Sequence, residues 1–402
     1  MSSLAPRSRP SARFILLVGV MAALPAVTTD MYLPSLPEVT TELDTTPTLV
    51  QGTITGVLIG GAIGQLLVGP LSDRFGRRRP VMVGVLLHVL ASVLCIFAAG
   101  IVPLLVLRII QGLGNAAATT TAMAVIRDRY SGATASAILS RLMLVIGVAP
   151  LLAPTAGSLV ADVAGWRAIF GVLAFLGLAL IAFMWRFLPE SLPPARRRPE
   201  GIGGALRSYR VLLRDREFVA LAVLPGLGMG VVMSYVAGSP FIFQQEYGLT
   251  ELEFALLFAV NGIGLVLGAQ VNASLVNRFA PLQIVRVAVP LSLGLAVVLL
   301  VLTAGGVGGL LGLVVPLWLL LTVNSVLPPN ASALALSRHG ERAGAAAAVI
   351  GSLQAGLAGT VSPLVGVLGE DGVAMATVIL GIMVAALVVV AVGTPAYRRQ
   401  ER

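Results

Sequence analysis

Apolar stretches of about 20 residues, the length of a membrane-spanning helix, follow one another through this 402-residue chain. The chain is 57% hydrophobic and 11% charged, whereas an average soluble protein carries about a quarter charged residues. No compositional break marks off a soluble domain. Because only helices and closed barrels satisfy their backbone polar groups in lipid, the pattern predicts an all-α membrane protein.

We predict twelve transmembrane helices in two pseudo-symmetric six-helix bundles. A hydrophilic stretch divides the chain into an N-terminal bundle at 1–188, a cytoplasmic linker at 189–217 and a C-terminal bundle at 218–402. A short repeat supports this division, because Leu71–Gly76 is echoed by Leu275–Ala280 about half a chain later. The predicted spans lie at about 13–36, 48–70, 81–100, 103–126, 136–161, 168–188, 218–241, 252–276, 283–304, 308–329, 344–368 and 372–395.

The positive charge follows the predicted topology. All 27 basic residues are arginines, and those other than Arg108 and Arg167 lie in or beside loops of one side. Such asymmetry orients membrane proteins with their basic loops inside. Arginines between Arg7 and Arg13 and between Arg398 and Arg402 therefore place both termini in the cytoplasm. The net charge of +9 is explained by topology, so we expect no nucleic-acid partner.

The residue types that support catalysis or cofactor binding are scattered. Cys95 is the single cysteine, and His88 and His339 are isolated, so we expect no metal site. No lysine is present for a nucleotide-binding loop. No nucleophile, base and acid stand together. We therefore expect neither an enzyme nor a cofactor.

One polar insert, Gly69–Pro80, lies between the second and third spans. It contains one acid, Asp73, and four arginines, so the chain must leave the hydrocarbon here. We predict a tight turn between two membrane helices. The positive-inside rule requires only cations, so Asp73 and the glycines Gly69 and Gly76 point to a further role.

Asp30 is the one acid that we place inside a span and away from its ends. A charged side chain at the bilayer centre costs about 2.5–3.5 kcal/mol on insertion scales, and such residues mark functional sites. A carboxyl group that is neutral in one state and charged in another is what proton coupling requires. The alternative is an interfacial acid that reaches outside water, because Pro34 and Pro37 end the helix nearby.

Arg108 is the matching cation, in the fourth span. Gln111 and Asn115 lie one and two turns away on roughly the same helix face, which predicts a stripe facing a polar cavity. Asp30 is a candidate partner, directly or through water. The alternative is an arginine that extends to the outer end of its span.

The fifth span combines two prolines with small residues. Pro150 and Pro154 remove backbone hydrogen bonds, and Gly157 allows a neighbouring helix to approach closely. The segment predicts a kinked, tightly packed helix, whose role is packing alone or packing with gating.

The second half contains amides, and its predicted spans hold an acid or an arginine only near their ends, at Glu253 and Arg286, so we expect ion coupling to belong to the first half. The amides line a cavity or join helices. They are Asn261, Gln270, Asn272, Asn324, Asn330 and Gln354, with Gln244 and Gln245 closing the seventh span. Our candidates for the substrate cavity in the whole chain are Tyr32, Gln111, Asn115, Asn261 and Gln354.

Six segments of the chain resemble the major facilitator superfamily, and more narrowly its Bcr/CflA-type drug-resistance transporters, which are drug:proton antiporters with twelve spans. Ala153 and Ala156 depart from the glycines typical of the fifth-span motif. The segments are Thr29–Pro34, Gly69–Pro80, Arg108–Gly112, Gly147–Gly157 followed by Gly165–Phe170, Ser239–Phe241 and Gly344–Gln354.

The resemblance implies proton-coupled export by alternating access, in a monomer without a cofactor. It implies that Asp30 exchanges protons and that Arg108 tunes it. It also implies a latch that closes the cytoplasmic side when the cavity faces outward. The latch residues are Gly69, Asp73, Arg74, Gly76 and Arg77.

We therefore expect a bacterial cytoplasmic-membrane antiporter, driven by the proton gradient, that exports small and partly apolar drugs such as chloramphenicol or bicyclomycin. With a single membrane acid, neutral or zwitterionic compounds are favoured over dications. The alternative is a narrow exporter of an endogenous metabolite or amino acid with the same fold. A broad or a narrow substrate range separates the two.

Overall fold

The computed structural model describes residues 11–130, 132–197 and 201–393. Within these ranges the chain is helical and contains no β-strand. The terminal arginines on which the cytoplasmic placement of both termini rests, apart from Arg13, lie outside the described residues.

Sixteen α-helices follow one another along the described chain. In the first half they are α1 (Ala12–Asp30), α2 (Leu36–Glu42), α3 (Pro47–Phe75), α4 (Arg78–Ile96), α5 (Ile101–Arg129), α6 (Gly132–Ala164) and α7 (Trp166–Phe187). α8 (Gly201–Arg214) connects the halves. The second half contains α9 (Arg216–Phe241), α10 (Glu251–Leu275), α11 (Pro281–Ala304), α12 (Gly309–Asn324), α13 (Leu327–Ser337), α14 (Ala343–Val361), α15 (Leu364–Leu368) and α16 (Gly372–Gly393).

The apolar runs correspond to these helices. Eleven helical segments of the described chain are long and apolar enough to cross a membrane. The predicted fifth span lies in α6, whose apolar stretch is Val148–Ala164. Each predicted span therefore has a helix, and α12–α13 and α14–α15 form two of the spans with a break inside each.

The spans pack as two six-helix bundles. In the first bundle α5 packs against α3 and α4, and α1 packs against α6. In the second, α9 is central and contacts α13, α14 and α16. The bundles meet along two helix pairs, α3 with α14 and α6 with α10. These are the second and fifth spans of each half, so the interface repeats the symmetry of the fold.

Threonines begin the second span of each bundle. The Thr46 hydroxyl accepts a hydrogen bond from the Leu49 N–H at 3.4 Å and caps α3. Thr250 caps α10 through a reciprocal pair of bonds with Glu253. Such caps satisfy N–H groups that the first helical turn leaves without partners, and they explain why the helices start there.

The predicted tight turn at Gly69–Pro80 is wrong in extent. α3 continues through Gly69 and Pro70 to Phe75, and α4 begins at Arg78, so only Gly76 and Arg77 lie between the helices. Gly76 has φ +90°, a conformation that side chains other than glycine rarely adopt. The polar residues before it lie on helical turns that extend beyond the apolar part of the span.

Candidate functional site

We call the end of the molecule where α3 meets α4 the arginine-rich end, because Arg74, Arg77, Arg78 and Arg79 cluster there. α1 starts at this end and finishes at Asp30 near the opposite end. The predicted site residues fall into two groups, one around Asp30 and one around Arg77.

Asp30 is the last residue of α1 and is 6% exposed. Among the described residues, no hydrogen bond or ion pair engages its carboxyl group. It lies within electrostatic range of the Tyr235 hydroxyl in the second bundle. The carboxyl group is therefore buried at the junction of the two bundles in this structure.

The end of α1 is held closely against α6. A Cβ atom at Gly157 would overlap the backbone carbonyl oxygen of Met31, the residue after Asp30. Glycine is the only residue without a Cβ, so Gly157 allows this approach. Pro150 and Pro154 lie within the same unbroken helix.

Arg108 is fully buried in this structure. Its Nη1 atom donates to the Gln111 Oε1 atom at 2.6 Å and to the Thr28 carbonyl oxygen at 3.2 Å. Its Nε and Nη2 atoms have no hydrogen-bond partner among the described residues. No carboxylate within the described chain lies within salt-bridge distance, so the direct partnership with Asp30 is not formed in this structure.

Aromatic rings supply much of the surroundings of Arg108. The guanidinium carbon lies 4.9 Å from the centre of the Tyr32 ring and 5.6 Å from that of Phe170. Cation–π contacts of this kind stabilise a desolvated guanidinium. Tyr32, a predicted cavity residue, is fully buried and packs on Arg108.

Gln111 and Asn115 are also buried in the first bundle. The Gln111 amide donates to Ser92 Oγ at 2.7 Å, so both of its polar atoms are used inside the bundle. The Thr28 hydroxyl reaches Asn115 Oδ1 at 3.4 Å. The expected polar stripe on α5 exists, and its hydrogen bonds connect α5 to α1 and α4 in this structure.

The amides of the second half mostly join helices. Asn261 Nδ2 donates to the Tyr235 hydroxyl at 3.1 Å, opposite Asp30. Asn324 Nδ2 donates to the Gly228 carbonyl at 2.8 Å. Gln354 is half-buried, and no side-chain hydrogen bond to it occurs among the described residues.

The second group centres on Arg77. Its guanidinium donates to Asp73 at 2.6 Å, to Ser72 at 2.6 Å and to Asp128 at 2.8 Å. Its backbone N–H donates to Glu190 Oε1 at 2.9 Å. α3, α5 and the segment after α7 are therefore joined at the arginine-rich end.

Gly69 and Arg74, the other predicted latch residues, lie outside this network. A Cβ at Gly69 would meet open space. Arg74 stacks on Phe75, with its guanidinium carbon 5.2 Å from the ring centre. The geometry gives neither residue a role in holding Arg77.

Asp128 and Glu190 were missed by the sequence analysis. Burial by itself raises the pKa of Glu190, but the N–H groups of Arg77, Leu192 and Arg78 donate to the carboxylate and lower the pKa below its usual value. A sequence signal existed, because both are acids at an end where the topology favours cations.

A matching charge cluster closes the second bundle at the same end. Asp215 caps α9 by accepting from the Phe218 N–H at 3.2 Å. Arg338 and His339, which follow α13, also contact its carboxylate, at 3.1 and 3.0 Å. The cluster connects the start of α9 to the end of α13.

The bundles are hydrogen-bonded to each other at the end opposite the arginine-rich one. Gln244 Nε2 donates to the Pro34 carbonyl at 3.0 Å, and the Gly366 N–H donates to Gln51 Oε1 at 3.2 Å. These bonds close the end of the molecule that lies nearest Asp30.

Comparisons with known proteins agree with this architecture. The family model described as Major Facilitator Superfamily matches residues 18–363. The chain is 34% identical over 375 residues to a Bacillus subtilis (strain 168) protein named uncharacterized MFS-type transporter YdgK, covering 93% of each chain. It is 32% identical over 326 residues to a chloramphenicol resistance protein of Pseudomonas aeruginosa, covering 79% of this chain and 76% of that one.

The fold is also similar to solved structures. A crystal structure of a D-xylose–proton symporter superimposes with a TM-score of 0.75 and 17% identity, covering 96% of this chain and 98% of the other. At this identity the likeness shows the shared fold of two six-helix bundles. The predicted fold class and the predicted family are confirmed.

Proposed function

The chain belongs to the major facilitator superfamily, in its Bcr/CflA-type branch, and from this premise we propose that it exports small drugs in exchange for protons by alternating access. The relative named for chloramphenicol resistance supports this substrate class. We place the protein in the bacterial cytoplasmic membrane as a monomer, with the arginine-rich end and both termini in the cytoplasm. The division into bundles 1–188 and 218–402 with linker 189–217 belongs to the same proposal.

The observation that carries the proposal is the buried carboxyl group of Asp30, which has no partner within the described chain. A nearby arginine commits a carboxylate to its charged form. Asp30 lacks such a partner among the described residues, so no cation there holds its carboxyl group in the charged form. Ionisable groups placed in this way in membrane proteins mark ion pathways and proton relays.

The transport cycle requires only that drug and proton compete. When the cavity opens outward, Asp30 takes a proton and the drug leaves. When it opens inward, drug binding favours release of that proton to the cytoplasm. Tyr235 and Asn261 lie opposite Asp30 in the second bundle, so a ligand between them contacts both bundles. Asn261 and Gln354 are our candidates for drug contacts.

Arg108 acts on Asp30 through the backbone in this proposal. Its guanidinium holds the carbonyl of Thr28, two residues before Asp30, and rests on Tyr32, two residues after it. Gln111 and Asn115 support this arrangement from α5. Arg108 is therefore a positioning residue for the end of α1.

The Arg77 network is the proposed latch at the cytoplasmic side. It joins three segments of the first bundle, and its charged groups lie where an outward-facing state must close. Gly157 allows α6 to contact Met31, the residue after Asp30. A movement of α6 would therefore displace the end of α1 and Asp30 with it.

The test measures drug-driven proton movement in inside-out vesicles that contain wild type or Asp30→Asn. Asp44→Asn is the matched control, because Asp44 is an exposed acid in the loop after α2. With an imposed pH gradient, chloramphenicol or bicyclomycin should collapse the gradient through wild type and through the control, but not through Asp30→Asn.

Three other outcomes count against parts of the proposal. Equal coupling in Asp30→Asn moves the proton site away from Asp30. Drug uptake without proton movement in wild type removes antiport. If a broad drug panel moves no protons and a single metabolite does, the protein is a narrow exporter with the same fold.

A further inference from the structure

α8 presents three distinct stripes along its length. One stripe, including Tyr209 and Leu212, is buried against the bundles. The adjacent stripe is apolar and exposed, with Ile202, Leu206 and Leu213 at 41%, 60% and 54%. At 100° per residue, these three side chains fall within about 40° of one another.

An arginine stripe follows directly on the other side of the apolar one. Arg207, Arg210 and Arg214 lie within about 60° of helix surface at the same spacing, and all three are exposed. Within the described chain, no hydrogen bond or ion pair engages any of these side chains. An arginine stripe without ion-pair partners in the described chain, next to exposed apolar side chains, is typical of a helix that lies in a membrane interface.

The position of α8 agrees with that pattern. The Tyr209 hydroxyl donates to the Leu66 carbonyl of α3 at 2.9 Å. α3 ends at Phe75, so Leu66 lies about 13 Å before the helix end at 1.5 Å per residue. α8 therefore lies beside the cytoplasmic part of α3 and not below it. Leu67, next to the bonded carbonyl, is itself 37% exposed and apolar.

We propose that α8 is a membrane-interface helix whose arginine stripe binds the phosphate groups of anionic phospholipids in the leaflet at the arginine-rich end. The apolar stripe inserts between acyl chains, and the guanidinium groups contact the headgroups. Guanidinium groups pair with phosphate bidentately, and a basic residue at an anionic leaflet gains about 1 kcal/mol. α8 contacts α3 in one bundle and α9 and α14 in the other, so the bound lipid lies at the junction of the bundles.

The depth of α8 is tested with an environment-sensitive fluorophore. Cys95 is the single native cysteine and is buried, so Cys95→Ala provides a background for one introduced cysteine. Leu206→Cys places the fluorophore on the apolar stripe. Val211→Cys is the control, since Val211 is also exposed and lies about 140° further round the helix.

In nanodiscs of phosphatidylcholine and phosphatidylglycerol, the fluorophore at residue 206 should show blue-shifted emission and that at residue 211 an aqueous spectrum. Aqueous spectra at both positions overturn the interfacial placement. This measurement requires no transport, so its failure is distinct from failure of the proposed antiport.

Lipid preference is tested with spin-labelled phosphatidylglycerol and phosphatidylcholine bound to the full-length protein. Replacing Arg207, Arg210 and Arg214 by glutamine should lower the preference for phosphatidylglycerol at least about fivefold, the factor for one arginine at an anionic surface. The control replaces the exposed arginines Arg127, Arg278 and Arg342 by glutamine, which removes the same charge and should preserve the preference.

A lysine version of the α8 triple variant keeps the charge and should restore most of the preference. Equal losses in the α8 and control variants would mean that total charge alone attracts the lipid, and an unchanged preference in the α8 variant would mean that these arginines do not contact it. Either result overturns the proposal.

Discussion

Replacing Arg77 by alanine tests whether the network at the arginine-rich end stabilises the first bundle. The side chain of Arg77 is 10% exposed, and its two carboxylate partners differ in burial: Asp128 is 18% exposed and Asp73 37%. Hydrogen bonds to charged groups contribute about 1.5–3 kcal/mol, whereas an exposed ion pair contributes about 0–1 kcal/mol. We therefore expect Arg77→Ala to lower the free energy of unfolding by about 2–4 kcal/mol, mostly through Asp128.

The assay is denaturant-induced unfolding of the purified protein in detergent, compared with Arg79→Ala. Arg79 is exposed, and no hydrogen bond or ion pair to its side chain occurs within the described residues, so its loss should cost less than about 0.5 kcal/mol. Double-mutant cycles then apportion the network. The coupling of Arg77 to Asp128 should exceed its coupling to Asp73. Equal stability of Arg77→Ala and Arg79→Ala would show that the Arg77 network does not stabilise the fold, and a larger coupling to Asp73 would show that Asp128 is not its main partner.

Three further predictions use the same unfolding assay. Gly76→Ala should lower the free energy of unfolding by about 1–3 kcal/mol, because the positive φ at Gly76 is strained for alanine. Gly69→Ala, the control, should be neutral or stabilising, because Gly69 lies inside a helix and its Cβ would meet open space. Gly157→Ala should lower the free energy of unfolding by about 1–3 kcal/mol, because its Cβ would overlap the backbone of Met31, which follows α1. A neutral result would show that α6 and the end of α1 separate readily. Burial alone raises the pKa of Asp215, but hydrogen bonds, first among them that from Arg338, lower it below the usual value. The contribution of the carboxylate to stability is therefore lost as the pH falls through the lowered pKa. The stability difference between wild type and Asp215→Asn should shrink below about pH 4, and a difference that grows there would contradict this sign.

The spans could be predicted because their cause is local. A bilayer imposes a length on each apolar run, and the run is visible in the sequence whatever its neighbours are. The predicted extent of the turn after the second span was wrong, because the end of a helix is not set by the polarity of its residues. Residues from Gly69 to Phe75 are polar enough to leave lipid, but polarity does not end a helix, and α3 stops only where Gly76 takes a positive φ. α8 escaped prediction because its stripes are spread over a segment that is hydrophilic on average.

The partners of the site residues could not be read from the sequence. Arg108 and Asp30 are the two charges that stand out in the first bundle, and pairing opposite charges is the natural hypothesis. The structure instead places an amide, a backbone carbonyl and two aromatic rings against Arg108. Asp128 reaches Arg77 across a separation in sequence that no spacing rule covers. Local patterns identify which residues carry charge, but only packing decides which of them meet.

The distribution of partners separates two kinds of carboxyl group in this protein. Asp73, Asp128 and Asp215 each contact an arginine, and Glu190 accepts from backbone N–H groups. These contacts join helices and loops of the described chain. Asp30 is more buried than any of them and has no partner in the described chain. A buried charge that only stabilised the fold would require a counter-charge, because desolvation is otherwise uncompensated. Among the described residues Asp30 has no such counter-charge where the two bundles meet, and this supports the proposal that a proton binds and leaves there.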